Sequence, residues 1–176
     1  MRRNNLPSEL SSFVGRRHEL QQVRAALAES RLVTLFGPGG VGKTRLAFRV
    51  AADLAKAYED GAWVVELAPV HDSDLVVDEV VAALGLRDHA GTPPVQQLVT
   101  YLAEREILLV LDNCEHVQHA ASLLVAQLLE ACPRVRVIAT SRHSFAIPGE
   151  HLLSIPPMPV PQQDRDARST KRRTAS

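Results

Sequence analysis

The sequence predicts an α/β domain built on a parallel sheet covered by helices on both faces. Three observations carry that expectation. Short runs of apolar, β-branched residues alternate with longer segments of helical period. Those runs, such as RLVTLF and ILLVLD, are apolar on both faces instead of alternating inside and out. The first run leads, within LFGPGGVGKT (residues 35–44), straight into a stretch too rich in glycine to make a core or a helix.

Each element has its own signature. RRHELQQVRAALAES sets Leu20, Val23 and Leu27 on one helical face, and Arg31 to Phe36 reads as a buried strand. Past the glycine loop, KTRLAFRVAADLAKAY carries Leu46, Ala47, Val50, Ala51 and Leu54 on one stripe, with Gly61 beyond its end. Ala62 to Leu67 is a second strand. The next helix turns Val77, Val80, Val81 and Leu84 one way and closes at Gly85. Thr92-Pro93 reads as an N-cap and first helical position, opening a helix with Val95, Leu98 and Leu102 inward. Ile107 to Asp112 is the most apolar strand. A helix from about Val117 to Ala131 stops before Pro133. Val135 to Arg142 and His151 to Ile155 complete five strands, and no internal repeat is present.

Size and composition bound the function. A chain of 176 residues, 45% hydrophobic and 23% charged, suits one globular domain. Lys+Arg and Asp+Glu are 20 each, so net charge points to neither nucleic acid nor an anionic membrane. Cys114 and Cys132 are too few for a disulfide framework and fit a reducing compartment. No apolar run approaches the ~18 residues of a membrane span, and MRRNNLPSEL lacks the apolar stretch of a signal peptide. The expected location is the cytoplasm, away from the membrane.

The glycines have a chemical reason. Gly37-Pro38-Gly39-Gly40-Val41-Gly42-Lys43-Thr44 satisfies G-x-x-x-x-G-K-[ST], the phosphate-binding loop. A backbone without Cβ atoms can wrap so that its N–H groups point at phosphate oxygens. Lys43 would reach the β- and γ-phosphates, Thr44 would give its hydroxyl to Mg²⁺, and the helix that follows adds its positive end. Arg45, next along, counts among the cofactor-binding residues. The expected cofactors are ATP or ADP with Mg²⁺.

A second element agrees. Asp112 ends an apolar strand and would emerge at the carboxyl edge of the sheet, where open α/β sheets bind ligands. A carboxylate there can hold Mg²⁺ through its water shell. Hydrolysis needs a further group to orient or deprotonate water. The place after Asp112 holds Asn113, which takes no proton. Glu115 is the nearest acid and His116 a further candidate, but these residues equally read as caps of the following helix. Slow hydrolysis is the expectation. Arg142 ends the fourth strand beside the expected γ-phosphate, where it can tell ATP from ADP; its alternative is a solvated loop arginine. The catalytic candidates are Lys43, Asp112, Glu115 and Arg142. Cys114, Glu115, His116 and His119 match no paired-ligand zinc spacing.

The reading divides the chain into an N-terminal segment, 1–12, a phosphate-loop nucleotide-binding domain, 13–161, and a tail, 162–176. QQDRDARSTKRRTAS has no apolar period, so disorder is expected, with Lys171, Arg172 and Arg173 read as a solvated run and contact with nucleic acid as the alternative.

In content and order, FVGRRHEL, LVTLFGPGGVGKTRLA, WVVELAPV, LLVLDNCEHV and VIATSRHSFAIPGE resemble the nucleotide-binding domain of STAND-class ATPases of the NB-ARC (AP-ATPase) kind. The version in large bacterial ATP-binding transcriptional regulators of LuxR and SARP type is the most similar. The resemblance runs from about Asn5 to Pro161. It implies a P-loop NTPase three-layer sandwich with strand order 5-1-4-3-2. It also implies that Val14, Gly15 and Arg16 lie by adenine and ribose, that Gly37 to Thr44 hold the phosphates, that Asp112 serves Mg²⁺ and that Arg142 senses the γ-phosphate.

In that family a helical subdomain, a winged helix and often repeats and a DNA-binding domain follow. They supply a proline near adenine and usually a histidine to the β-phosphate. The segment after Pro161 does not resemble them, which suggests a truncated product or a fragment. DNA would then be reached only through domains outside this sequence, and partners would be the nucleotide, other regulator domains or a second copy. The leading expectation is a Mg²⁺-dependent ATP/ADP switch module that hydrolyses slowly. The alternatives are a stand-alone small ATPase or phosphotransferase, for which no arginine-rich lid segment is found, and a non-functional fragment.

Overall fold

The computed structural model describes residues 4–8 and 15–158. Five strands, β1 (Leu32–Phe36), β2 (Ala62–Glu66), β3 (Ile107–Asp112), β4 (Val135–Ser141) and β5 (Glu150–Ser154), form one sheet. All pair in parallel, in the order β2-β3-β4-β1-β5. Counted from the other edge this is the expected 5-1-4-3-2.

Helices cover both faces, and the two-residue period of the strands decides which side chains each face receives. On one side α1 (Arg17–Glu29) and α2 (Lys43–Leu54) pack on Val33, Leu35, Val64, Leu108, Val110 and Ile138. On the other, α3 (Val76–Ala83), α4 (Pro94–Leu102) and α5 (Gln118–Ala131) pack on Leu32, Val65, Leu109, Leu111, Val137 and Ala139. Lying in the interior of the sheet, β3 is buried at all six positions, which is why it is apolar at the five before Asp112. Each such leucine contributes about 1.5–3 kcal/mol on leaving water.

Two arginines tie the faces to the strands. Arg31, just before β1, donates to the carbonyls of Leu129 (2.7 Å) and Cys132 (3.2 Å) at the end of α5. Arg136, in β4, donates to Leu27 and Ser30 (3.3 Å) at the end of α1. Both satisfy carbonyls that a helix terminus leaves open. At the outer edge of β2, Asn4 forms a bridge with Ala62 and the Asn5 amide imitates a peptide. It donates to Val64 O at 2.8 Å and accepts from Val64 N at 2.7 Å.

Several boundaries differ from the sequence expectation. The fourth helix begins at Pro94, with Pro93 as its extended cap (φ −57°, ψ 139°) in place of Thr92. The second proline excludes Pro93 from helical geometry, because its ring clashes with the preceding residue. Val76 is fully buried and Val77 only partly, and α2 stops at Leu54, well before Gly61. A short 3₁₀ turn, Glu115–Val117, precedes α5. β4 ends at Ser141, leaving Arg142 in the loop, while β5 starts one residue early because Glu150 pairs with Leu32. Residues 9–14, including Val14, and the expected tail at 162–176 lie outside the described residues. Among the described residues no helix is long and apolar enough to cross a membrane.

Candidate nucleotide-binding site

Parallel pairing aligns the carboxyl ends of the strands. Phe36 of β1 stands opposite Ser141 of β4, and Asp112 of β3 stands opposite Glu66 of β2. The glycine loop leaves β1 at this edge and returns as α2. At Gly37 it runs so close to the chain beyond β5 that a Cβ would lie 2.8 Å from Ile155 O. At Gly42, the residue before α2, the backbone is left-handed (φ 92°), a conformation costly for any other residue. No side chain caps α2 and no acid occupies its first turn, so its opening N–H groups are available to an anion. Pro38, Gly39 and Gly40 form an exposed crown.

Lys43 opens α2 and is only 7% exposed. Its ammonium donates to Gly37 O (2.5 Å) and Pro38 O (3.0 Å), so it lies along the inside of the loop. Burial is the main reason its pKa falls below the ordinary lysine value. The charge of Glu115 opposes that fall, Arg142 adds to it, and Asp112 opposes it. All four predicted catalytic residues therefore share one electrostatic environment. Glu115 is half-buried in the turn before α5, and its Oε2 is buried without a hydrogen-bond partner. Arg142 is exposed and lies over the loop: a Cβ on Gly39 would come within 2.9 Å of its Nη2.

Asp112 is 7% exposed and accepts two hydroxyl hydrogen bonds on the same oxygen, Oδ1. One comes from Thr44 (2.7 Å) and the other from Thr140 (2.7 Å). Thr44 and Asp112, each expected separately at Mg²⁺, are thus hydrogen-bonded to one another. Thr140 was not anticipated. Its only trace in the sequence is a hydroxyl at the end of the apolar strand VRVIATS, where a side chain 1% exposed needs a polar partner.

Asn113 has a positive φ of 63°, and its N–H donates to Thr140 Oγ1 at 2.8 Å. Asparagine tolerates the left-handed region better than most residues, which gives a conformational reason for it at this turn. His116 lies with Nε2 2.6 Å from Val70 O; since a carbonyl only accepts, that nitrogen carries the proton and is engaged with the chain beyond β2.

Arg16 is 4% exposed behind the loop. Its Nη2 donates to Val41 O and to Pro156 O (3.3 Å), and its Nη1 is buried without a partner. Gly15 lies beside Met158, whose Cε would be 4.0 Å from an added Cβ. Arg45 is exposed on the first turn of α2. Glu150 shapes the loop after β4, accepting from Ser144 Oγ (2.7 Å), Phe145 N (2.8 Å) and Ala146 N (3.0 Å). Burial pushes its pKa up, but hydrogen bonds to its carboxylate, led by the one from Ser144, outweigh it, and the net value lies below the ordinary glutamate range.

The sheet order, the loop and the paired Thr44 and Asp112 define a P-loop ATPase-type domain. Residues 16–149 match the NB-ARC domain, and the chain belongs to this family of nucleotide-binding domains. It is 41% identical over 149 residues to the uncharacterized protein Rv0894 of Mycobacterium tuberculosis, covering 85% of this chain and 38% of that one. Identity is 44% over 138 residues with a putative HTH-type transcriptional regulator of the same organism, Rv0890c (78% and 15% covered). With the regulatory protein AfsR of Streptomyces griseus it is 30% over 164 residues (85% and 16%). The chain thus spans between about a seventh and two fifths of these relatives' lengths. In fold it is similar to the STAND protein PH0952 of Pyrococcus horikoshii, with a TM-score of 0.57, 16% identity and 81% and 23% of the two chains covered.

Proposed function

We propose that this chain is the ATP/ADP-binding switch module of a larger transcriptional-regulator architecture, loading nucleotide with Mg²⁺ and hydrolysing it slowly. The observation that carries the reading is the 2.7 Å hydrogen bond from Thr44 to Asp112, which joins the loop–helix junction to the end of β3 across 68 positions of sequence. Hard oxygen donors, one hydroxyl and one carboxylate, side by side at the carboxyl edge of the sheet suit Mg²⁺. When bound, the ion would neutralise charge on the phosphate oxygens.

The chain's own groups take the other roles. Gly37, Pro38, Gly39, Gly40, Val41 and Gly42 offer backbone N–H groups to the phosphates, with Lys43, Thr44 and Arg45 at the head of α2. Lys43 would leave its loop carbonyls for the more strongly accepting β- and γ-oxygens. Arg142, over the crown of the loop, reads the γ-phosphate. Glu115, with an unpartnered oxygen, orients water. Val14, Gly15 and Arg16 border adenine and ribose. The domain runs from 13 to 161. A switch is supported by Arg16, which bonds both the loop at Val41 and the outgoing chain at Pro156. Contact with DNA belongs to other parts of such regulators.

The test is calorimetric titration of the purified chain with ADP and ATP, with Mg²⁺ and with EDTA. Binding that Lys43→Ala abolishes in a folded protein is expected. Equal affinity in that variant would remove the assignment of the loop.

A further inference from the structure

We infer that Thr140 is a positioning residue for Mg²⁺, acting through the carboxylate of Asp112; the inference deepens the nucleotide reading and rests on it. Asp112 Oδ1 is held by two hydroxyls, and they are not equivalent. Thr44 sits on α2 at the phosphate loop, half-buried, and its oxygen is the one proposed to face the metal. Thr140 lies in β4, 1% exposed, and every hydrogen-bonding capacity it uses is internal.

A hydroxyl has one hydrogen, and here its destination is determined. The N–H of Asn113 occupies a lone pair of Thr140 Oγ1 at 2.8 Å, so the hydroxyl hydrogen is directed to Asp112 Oδ1 at 2.7 Å. The main chain around it is equally anchored. Thr140 pairs with Leu35 of β1, two residues before Gly37 opens the loop, and its carbonyl accepts from Cys114 N at 3.0 Å. Thr140 therefore links three things: the strand leading into the loop, the left-handed turn at Asn113, and the carboxylate between them. A buried carboxylate free to rotate would present a mixture of orientations to the ion. With Oδ1 pinned from the β4 side, a single orientation is presented when Thr44 shifts to accommodate Mg²⁺.

This role separates from a purely structural one, because it acts on the Mg²⁺-dependent part of affinity and leaves the rest alone. Thr140→Val keeps the shape and removes the hydroxyl; Thr140→Ser keeps the hydroxyl and removes the methyl. ATP titrations of wild type and both variants, in Mg²⁺ and in EDTA, give for each protein the factor by which Mg²⁺ tightens binding. The expected factor falls about tenfold in Thr140→Val, as for loss of a charge-assisted hydrogen bond, and recovers in Thr140→Ser. Affinity in EDTA stays within about twofold throughout. Melting temperatures establish that each variant is folded. Should Thr140→Val not fold, Thr140→Cys takes its place, with similar size and only a weak donor.

An equal Mg²⁺ factor in wild type and Thr140→Val, or affinity lost equally in Mg²⁺ and EDTA, overturns the inference while nucleotide binding stands. A wild type that binds no nucleotide overturns the underlying reading, and this inference with it.

Discussion

Arg16 holds the carbonyl of Val41, in the middle of the phosphate loop, across 25 positions of sequence. The same nitrogen reaches Pro156 O, just beyond β5. One buried guanidinium therefore joins the start of α1, the loop and the outgoing chain, and the loop's shape depends on all three.

Replacing Arg16 tests that dependence. Arg16→Met keeps much of the volume but leaves Val41 O and Pro156 O without this donor. Charge-assisted hydrogen bonds of this kind contribute about 1.5–3 kcal/mol. Stability measured by denaturant unfolding should fall by about 2 kcal/mol, with weaker ADP binding. Unchanged stability would mean that the contact holds nothing in place.

Lys43 gives the opposite pairing of effects. Its ammonium is buried against loop carbonyls, and burial lowers its pKa, so the nucleotide-free fold bears a cost for keeping it charged. Lys43→Met should eliminate ADP binding while the melting temperature without nucleotide stays equal or rises. A marked drop in that temperature would give Lys43 a structural role as well.

Glu150 makes stability depend on acid. Its folded pKa lies below the ordinary value, so the folded state favours the carboxylate more than the unfolded chain does. The contribution is present above the unfolded pKa and is lost as pH falls through the lower, folded one. Glu150→Gln should therefore be less stable than wild type near neutrality, with the difference narrowing as the solution is acidified below the glutamate range. Melting curves across that range measure it; a constant gap would assign the effect to packing.

Turnover should be slow. Asn113, in the left-handed turn directly after Asp112, takes no proton, and the next acid along the chain is Glu115. Steady-state phosphate release by the wild type should lie well below the ~1–10³ s⁻¹ of committed enzymes. Asn113→Asp, which also tolerates positive φ, should raise it only modestly. Lys43→Ala serves as the contamination control. Tens of turnovers per second by wild type, absent from the control, would make this a competent stand-alone ATPase.

Much of this was legible along the chain because it is local. A buried parallel strand announces itself by being apolar at every position, as Ile107 to Leu111 are, and a phosphate loop by glycines at fixed spacing. Boundaries were less legible. Thr92-Pro93 is a good helix start in isolation, and Pro94 displaced it by one residue through a clash of a few atoms. Val76, not Val77, became the deeper residue once the helix docked on its neighbours.

The sequence alone therefore determined the fold class, the strand order through its family resemblance, and the residues of the loop and of Asp112. Tertiary structure alone decided how they are held. Thr140 touches Asp112 because β4 lies beside β3, and Arg16 reaches Val41 because α1 packs on α2. Glu150 folds back on Ser144 through a turn that no periodicity marks. Hydrogen bonds between residues 25 or 28 apart leave no spacing rule behind; their partners are chosen by which elements pack together, and that is settled only when the whole core closes.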